Sequence, residues 1–106
     1  MQKTLGPGFL ENIYEEALCI EMGKRQIPFK RQEEIQLRYK NNPIGINRID
    51  LVVGGKLIVE LKAVAKLAPI HLAQAISYLK ATGLSLALLI NFNVPVLKEG
   101  IKRVAL

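Results

Sequence analysis

Tryptophan is absent from this 106-residue sequence, and three tyrosines and three phenylalanines are its whole aromatic complement. Rings this few, and not interleaved with the basic residues, argue against a platform on which nucleic-acid bases would stack. A single cysteine, Cys19, has no internal partner for a disulfide and no neighbour suited to nucleophilic work, so it reads as a small buried hydrophobe. No charged-then-apolar segment of the secretory kind opens the sequence, which makes a reducing cytoplasm the expected compartment. Long apolar runs are missing as well. The longest, Leu84 to Ile90 with Ser85 inside it, falls far short of the roughly 20 residues a membrane helix needs, so no membrane is expected as a partner. With no repeat, low-complexity stretch or linker, one domain over residues 1–106 with a single core is expected. Acids are the scarcer charge, nine against 15 lysines and arginines, for a net charge of +6. That excess favours a polyanionic partner without identifying one.

What is present has a clear order. After the breaker Gly6-Pro7-Gly8, the residues Leu10, Ile13, Tyr14, Ala17 and Leu18 recur at helical spacing until Gly23. From Phe29 the period changes to two, with Ile35, Leu37 and Tyr39 alternating with Gln36, Arg38 and Lys40, a half-buried strand ended by Asn41-Asn42-Pro43. Two further strands, about Ile46 to Val53 and Leu57 to Ala63, are joined through Gly54-Gly55, a hairpin signal. Pro69 opens a second helix with Leu72, Ala73, Ile76 and Leu79 as its inward stripe and Gly83 as its stop. The run from Leu84 to Ile90 is apolar on both faces, the mark of a central strand, and arrival through a helical crossover makes it parallel to the third strand. Val94 to Leu106 is too short to place, although Ile101 and Val104 could close one side of the core. The order is helix, three antiparallel-connected strands, helix, strand, an α/β fold with a mixed sheet.

Inside these apolar strands sit charges that require a reason. Asp50 follows Ile49 and precedes Leu51-Val52-Val53, while Glu60 and Lys62 flank Leu61 at the end of Leu57-Ile58-Val59. Two acids that converge on a divalent cation, with an amine beside them to orient or deprotonate a water, supply one. Glu60 and Lys62 share a strand face. Asp50 joins them only in some registers. A two-residue Gly54-Gly55 loop pairs Asp50 with Val59 and puts it on the face opposite Glu60. A three-residue loop, Gly54-Gly55-Lys56, or a five-residue one, pairs Asp50 with Glu60. Glycine supplies the positive φ such a loop needs, so an odd-numbered loop or a compensating bulge is expected.

An acid in an apolar strand, Glu60-Leu61-Lys62 in the next, and Gln74 on the following helix resemble the PD-(D/E)XK nuclease superfamily. Gly8-Phe9-Leu10-Glu11-Asn12-Ile13-Tyr14 is similar, more narrowly, to the Gly-x-x-Glu-x-x-Tyr signature of the GxxExxY family within it. The likeness extends through Asn91-Phe92 and Leu97-Lys98-Glu99-Gly100-Ile101-Lys102-Arg103. It implies a restriction-endonuclease-like αβββαβ core, with a mixed four-stranded sheet flanked by two helices. Family members usually carry a further helical stretch before the Leu5-Gly6-Pro7-Gly8 segment, and only Met1 to Thr4 stand there in this sequence.

The mechanism implied is metal-assisted phosphodiester hydrolysis. Asp50, Glu60 and the carbonyl of Leu61 would hold Mg²⁺ or Mn²⁺, and Lys62 would position a water or stabilise the developing negative charge. Glu11 would add a carboxylate, and Tyr14, one turn on, would hold that carboxylate or reach a phosphate. On the second helix His71, Gln74 and Tyr78 follow i, i+3, i+7 spacing opposite the apolar stripe, with Gln74 orienting a water or touching the substrate backbone. Arg48 belongs to a set of cations, with Lys24, Arg25, Lys30, Arg31, Arg38 and Lys40 in the first half and Lys98, Lys102 and Arg103 in the tail. On the rim of the acidic site these would neutralise phosphates.

Each residue also has a plainer reading. Asp50 could be a structural acid paired with Arg48 or Lys62, and Glu60 with Lys62 a surface ion pair. Glu11 is favoured in a first helical turn by the dipole alone. Tyr14 lies on an apolar stripe, His71 suits a helix surface, and the cations suit a solvated face. Three functions therefore stand open: an active nuclease acting on DNA, a nucleic-acid-binding module without turnover, and a protein-interaction domain with an ion-pair cluster. A single site needs a second copy to cut both strands at once, which makes a homodimer an expectation.

Overall fold

A computed structural model describes residues 10–95 and 97–106. The Gly6-Pro7-Gly8 breaker, and with it the start of the helix-one signature at Gly8, lies outside the described residues. The chain forms helix α1 (Glu11–Lys24), strands β1 (Phe29–Tyr39), β2 (Asn42–Val53) and β3 (Leu57–Lys62), helix α2 (Pro69–Thr82), strand β4 (Leu86–Asn91), a 3₁₀ turn (Leu97–Gly100) and strand β5 (Ile101–Ala105). The strands make one sheet in the order β1-β2-β3-β4-β5. Only β3 and β4 are parallel, as a helical crossover between them requires.

The sheet thus has five strands where four were expected. Ile101–Ala105 pairs antiparallel with β4, and Val104 from it enters the core while Ile101 stays exposed. The turn before it is forced close. A Cβ on Gly100 would stand 2.0 Å from the carbonyl oxygen of Asn91, so only glycine lets the tail fold back there.

Two apolar layers sandwich the sheet. On one face Tyr14, Cys19 and Met22 of α1 pack on Leu51, Val59, Leu61 and Phe92. On the other, Ala75, Tyr78 and Leu79 of α2 pack on Ile49, Ile58, Ala87, Leu89 and Val104. The inward stripe of α2 includes Tyr78 and leaves Ala73 exposed, a rotation from the expected stripe that lets the larger ring fill the core.

Both helix ends are legible in backbone bonds. In α2, Pro69 opens the helix and Gly83, at φ 76°, closes it by donating its amide to Leu79 O at 2.9 Å. Gly23 does not stop α1. The helix runs one residue further, and Gln26 takes the left-handed conformation at φ 56° while Gln26 and Ile27 donate to Gly23 O and Met22 O, a Schellman closure without glycine.

The first hairpin is longer than expected. Lys40 and Asn41 are both left-handed, the geometry of a tight two-residue turn between Tyr39 and Asn42. Asn42 and Pro43 therefore begin β2 rather than separating it from β1. Pro43 is tolerated beside an irregularity in the pairing at Leu37/Arg38.

Candidate functional site

The second hairpin decides whether the strand acids can meet. Val53 pairs with Leu57, Val52 with Ile58 and Leu51 with Val59, so Gly54, Gly55 and Lys56 form a three-residue loop. Both glycines are left-handed, at φ 61° and 69°, and Lys56 N donates to Val53 O at 3.1 Å. This is the odd-numbered loop, and its register carries Asp50 toward Glu60. The ladder then stops. Ile49 and Val52 belong to the α2 layer while Leu51 and Val53 belong to the α1 layer, so strict alternation breaks between Ile49 and Leu51. On β1 the same switch separates Phe29, in the α1 layer, from Ile35, in the α2 layer, with Gln32 between them at φ 50°. Asp50 thus sits where β2 leaves β3, and its Oδ2 accepts the Leu61 amide at 2.8 Å, a side chain standing in for a ladder bond.

Glu60 lies beside it, 4% exposed, and its Oε1 has no hydrogen-bond partner. Burial pushes the Glu60 carboxyl up to about 9, a hydrogen bond and negative charge from Asp50 push the same way, and the Lys62 ammonium opposes them. At neutral pH Glu60 therefore keeps its proton. The same acids and burial raise the Tyr78 phenol, with burial the larger cause.

A second buried carboxylate was missed by sequence. Glu15, 8% exposed, accepts Arg31 Nη2 at 2.8 Å, Arg31 Nε at 3.3 Å and Gln32 Nε2 at 2.8 Å. A bond to Glu16, and after it those to Glu15, raise the Arg31 guanidinium further above its ordinary value. A cleft of about 670 Å³ opens between the start of α1 and the strands, lined by Glu11, Glu15, Gln32, Asp50, Leu61 and Asn93 among others. The available signal was Glu15 standing between Tyr14 and Leu18, four residues after Glu11 on the inward side of a helix.

Of the expected site residues, the cleft brings together Glu11, exposed at its rim, with Asp50 and Leu61, while Glu60 is buried and does not line it. Lys62 follows on β3 opposite Asn91 of β4. Its backbone is pinned, because Phe92 N donates to Lys62 O at 2.8 Å and the buried Asn91 amide bonds both Val64 N and Val64 O. Gln74 is half-buried on α2.

The others are placed differently. Tyr14 is fully buried and stacked on Phe92 with centroids 4.3 Å apart, which makes it packing for α1 rather than a phosphate contact. Tyr78 lies inside the α2 layer instead of opposite it. His71 turns back on its own helix, its Nδ1 accepting the Ala68 amide at 2.9 Å, and so caps α2. Arg48 reaches Glu34 across the first hairpin at 3.5 Å. The cations do not form a single rim, since those of β1 and β2 lie at one edge of the sheet and Lys102 and Arg103 at the other.

Two neighbouring carboxyls, one with an orphaned buried oxygen, fit a hard divalent cation that would replace the Glu60 proton. Among the described residues no group of three or more acidic, histidine or cysteine side chains converges, so Asp50 and Glu60 would be the side-chain ligands. A family model for the PD-(D/E)XK nuclease superfamily matches residues 1–104. The chain belongs to this superfamily. Asp50 and Glu60-Leu61-Lys62 all lie within the matched residues. Nucleases of the PD-(D/E)XK superfamily act on nucleic acid and generally use divalent metals. No curated protein and no solved structure is significantly similar to the chain. Among the described residues no helix is long and apolar enough to cross a membrane.

Proposed function

We propose that this protein is a metal-dependent nuclease of the GxxExxY type that hydrolyses phosphodiester bonds in DNA. The observation that carries the reading is the Asp50–Glu60 carboxyl pair beside the cleft, with Glu60 Oε1 buried and undonated. An acid kept protonated chiefly by its burial, with a second acid beside it, is a poor structural device and a good latent cation site. Asp50 and Glu60, with the carbonyl of Leu61, would hold Mg²⁺ or Mn²⁺, which when bound would supply Lewis acidity to a phosphate oxygen and a water. Lys62, held by the β4 end, orients that water or balances charge on the phosphate, while Glu11 at the rim and Gln74 on α2 help to place it.

The test is cleavage of single-stranded, duplex and branched DNA in Mg²⁺ or Mn²⁺, with Glu60→Ala prepared identically. Metal-dependent products absent from the variant support the reading. Equal background from both folded proteins overturns it in favour of a binding module without turnover, a reading that the 4% exposure of Glu60 also favours.

A further inference from the structure

Part of the fold is unused by the cleft. Strand β2 meets β3 only over Leu51–Val53, so its first three-quarters continue with β1 as a two-stranded ribbon beyond the sheet. Residues 38–48 are all exposed. A bare ribbon of this kind is marginal in water. This one is braced by its left-handed Lys40-Asn41 turn and by side chains that prop its cations in place. Arg38 donates to Gln36 Oε1 at 2.8 Å and to Asn41 O at 3.3 Å, and the Lys40 ammonium lies 5.5 Å from the Tyr39 ring centre. From Ile35 to Arg48 the sequence carries Arg38, Lys40 and Arg48 and no acid.

Pairing sets what each face presents. Arg48 is opposite Glu34 and Ile46 opposite Gln36, so Arg48, Ile46 and Arg38 share one face, with the exposed Ile44 beside Pro43. Arg38 and Arg48 are thereby four residues apart along the ribbon, about 13 Å. That is about four base-pair rises of a duplex. At its base the same strand pair carries Gln32 and Asp50, which line the cleft.

We propose that the β1–β2 ribbon is a docking arm for duplex DNA. It enters a groove as a two-stranded unit, with Arg38 and Lys40 on phosphates, Arg48 joining them on release from Glu34, and Ile44 and Ile46 against the groove wall. A two-stranded ribbon is of a size the major groove admits. The inference rests on the nuclease reading and adds to it how substrate is held outside the cleft. From Ile35 to Arg48 the ribbon carries no acid, and although Arg48 is met by Glu34 at its base, the cations toward its tip, Arg38 and Lys40, favour a polyanion.

The test measures anisotropy of a labelled duplex with the full chain in EDTA across 50–200 mM salt. It compares the parent with Arg38→Ala/Lys40→Ala and with Lys102→Ala/Arg103→Ala, which removes equal charge from the opposite sheet edge. The arm variant is expected to lower the slope of log affinity against log salt by about 2 and to weaken binding by roughly tenfold or more, with a clearly smaller change in the β5 variant. Equal losses in both variants overturn the arm in favour of net charge alone. An unchanged arm variant overturns it in favour of another partner, an acidic protein included. If the double substitution unfolds the chain, Lys40→Glu alone leaves the Arg38 contacts intact and must still weaken binding. A parent that cleaves DNA while its arm variant binds normally sinks the arm but not the nuclease reading. A parent that neither binds nor cleaves sinks both.

Discussion

Two glutamates are nearly sealed from water in this domain, and their surroundings are opposite. Glu15 is met by three donors from Arg31 and Gln32, and its charge is neutralised by a guanidinium that also reaches Glu16. Glu60, buried more deeply, has an oxygen with no donor and an acid as its near neighbour. The first arrangement is complete as folded and ties α1 to β1. The second is complete only when a proton or a cation sits between the carboxyls. Burial is therefore common to both, and the tally of donors is what sets them apart.

The sharpest way to break this contrast is substitution at both sites. Glu60→Ala is expected to lower metal-dependent cleavage by about 1,000-fold, the several kcal/mol that metal catalysis supplies, while leaving the melting temperature equal or higher. Glu15→Ala should do the reverse, costing about 1–3 kcal/mol in denaturant unfolding because Arg31 and Gln32 lose a charged acceptor. A cleavage loss at Glu15 as large as at Glu60 would dissolve the distinction.

Metal should sharpen it. At 100 times its dissociation constant, Mg²⁺ or Mn²⁺ is expected to stabilise the parent by about 2.7 kcal/mol, read as a higher melting temperature. Glu60→Ala should lose that gain and Glu15→Ala should keep it.

Acidity gives a third handle. The folded carboxyl of Glu60 titrates at about 9 against an ordinary 4.5, so between these values the unfolded chain releases a proton that the folded chain retains. Stability conferred by the neutral form is thus full below about pH 4.5, falls as pH rises through the window and levels near 9. In EDTA the parent should melt higher at pH 6 than at pH 8, and Glu60→Gln should remove most of that difference. A melting temperature that rises with pH over this range would contradict the assignment.

The smallest effect concerns a residue moved out of the site. His71→Ala should cost about 1 kcal/mol through loss of the Ala68 cap and leave cleavage and its salt dependence unchanged.

Much of this was legible in the sequence, for reasons that differ by element. The Gly54-Gly55 pair, with apolar strands on either side, correctly required an odd-numbered loop for Asp50 to approach Glu60. The parallel β3–β4 pair followed from a helix lying between two apolar runs. Strand β5 was not legible, because five residues with one buried valine carry little periodic signal and its docking depends on Gly100 meeting Asn91 across a turn. The break of alternation at Gln32 and Asp50 was equally invisible, since it follows from β2 leaving β3 and not from residue type. For the site, Asp50 and Glu60 stood out as candidates because charge interrupts apolar strands there. Glu15 was overlooked because its partners, Arg31 and Gln32, come from a strand whose contact with α1 no local pattern encodes. Tyr14, Tyr78 and His71 carry chemistry in principle, but packing and capping claimed them first.

The hydrogen bond from the Leu61 amide to Asp50 has a consequence for how such a domain would decay. Asp50 completes the sheet at the point where two strands part, so its loss would harm folding whether or not the protein cuts anything. Glu60 gives the resting fold no comparable service, and an apolar residue of similar size would suit its surroundings better. A lineage released from catalytic duty should therefore shed Glu60 early and Asp50 late, leaving an aspartate in an apolar strand as the last trace of an abandoned site.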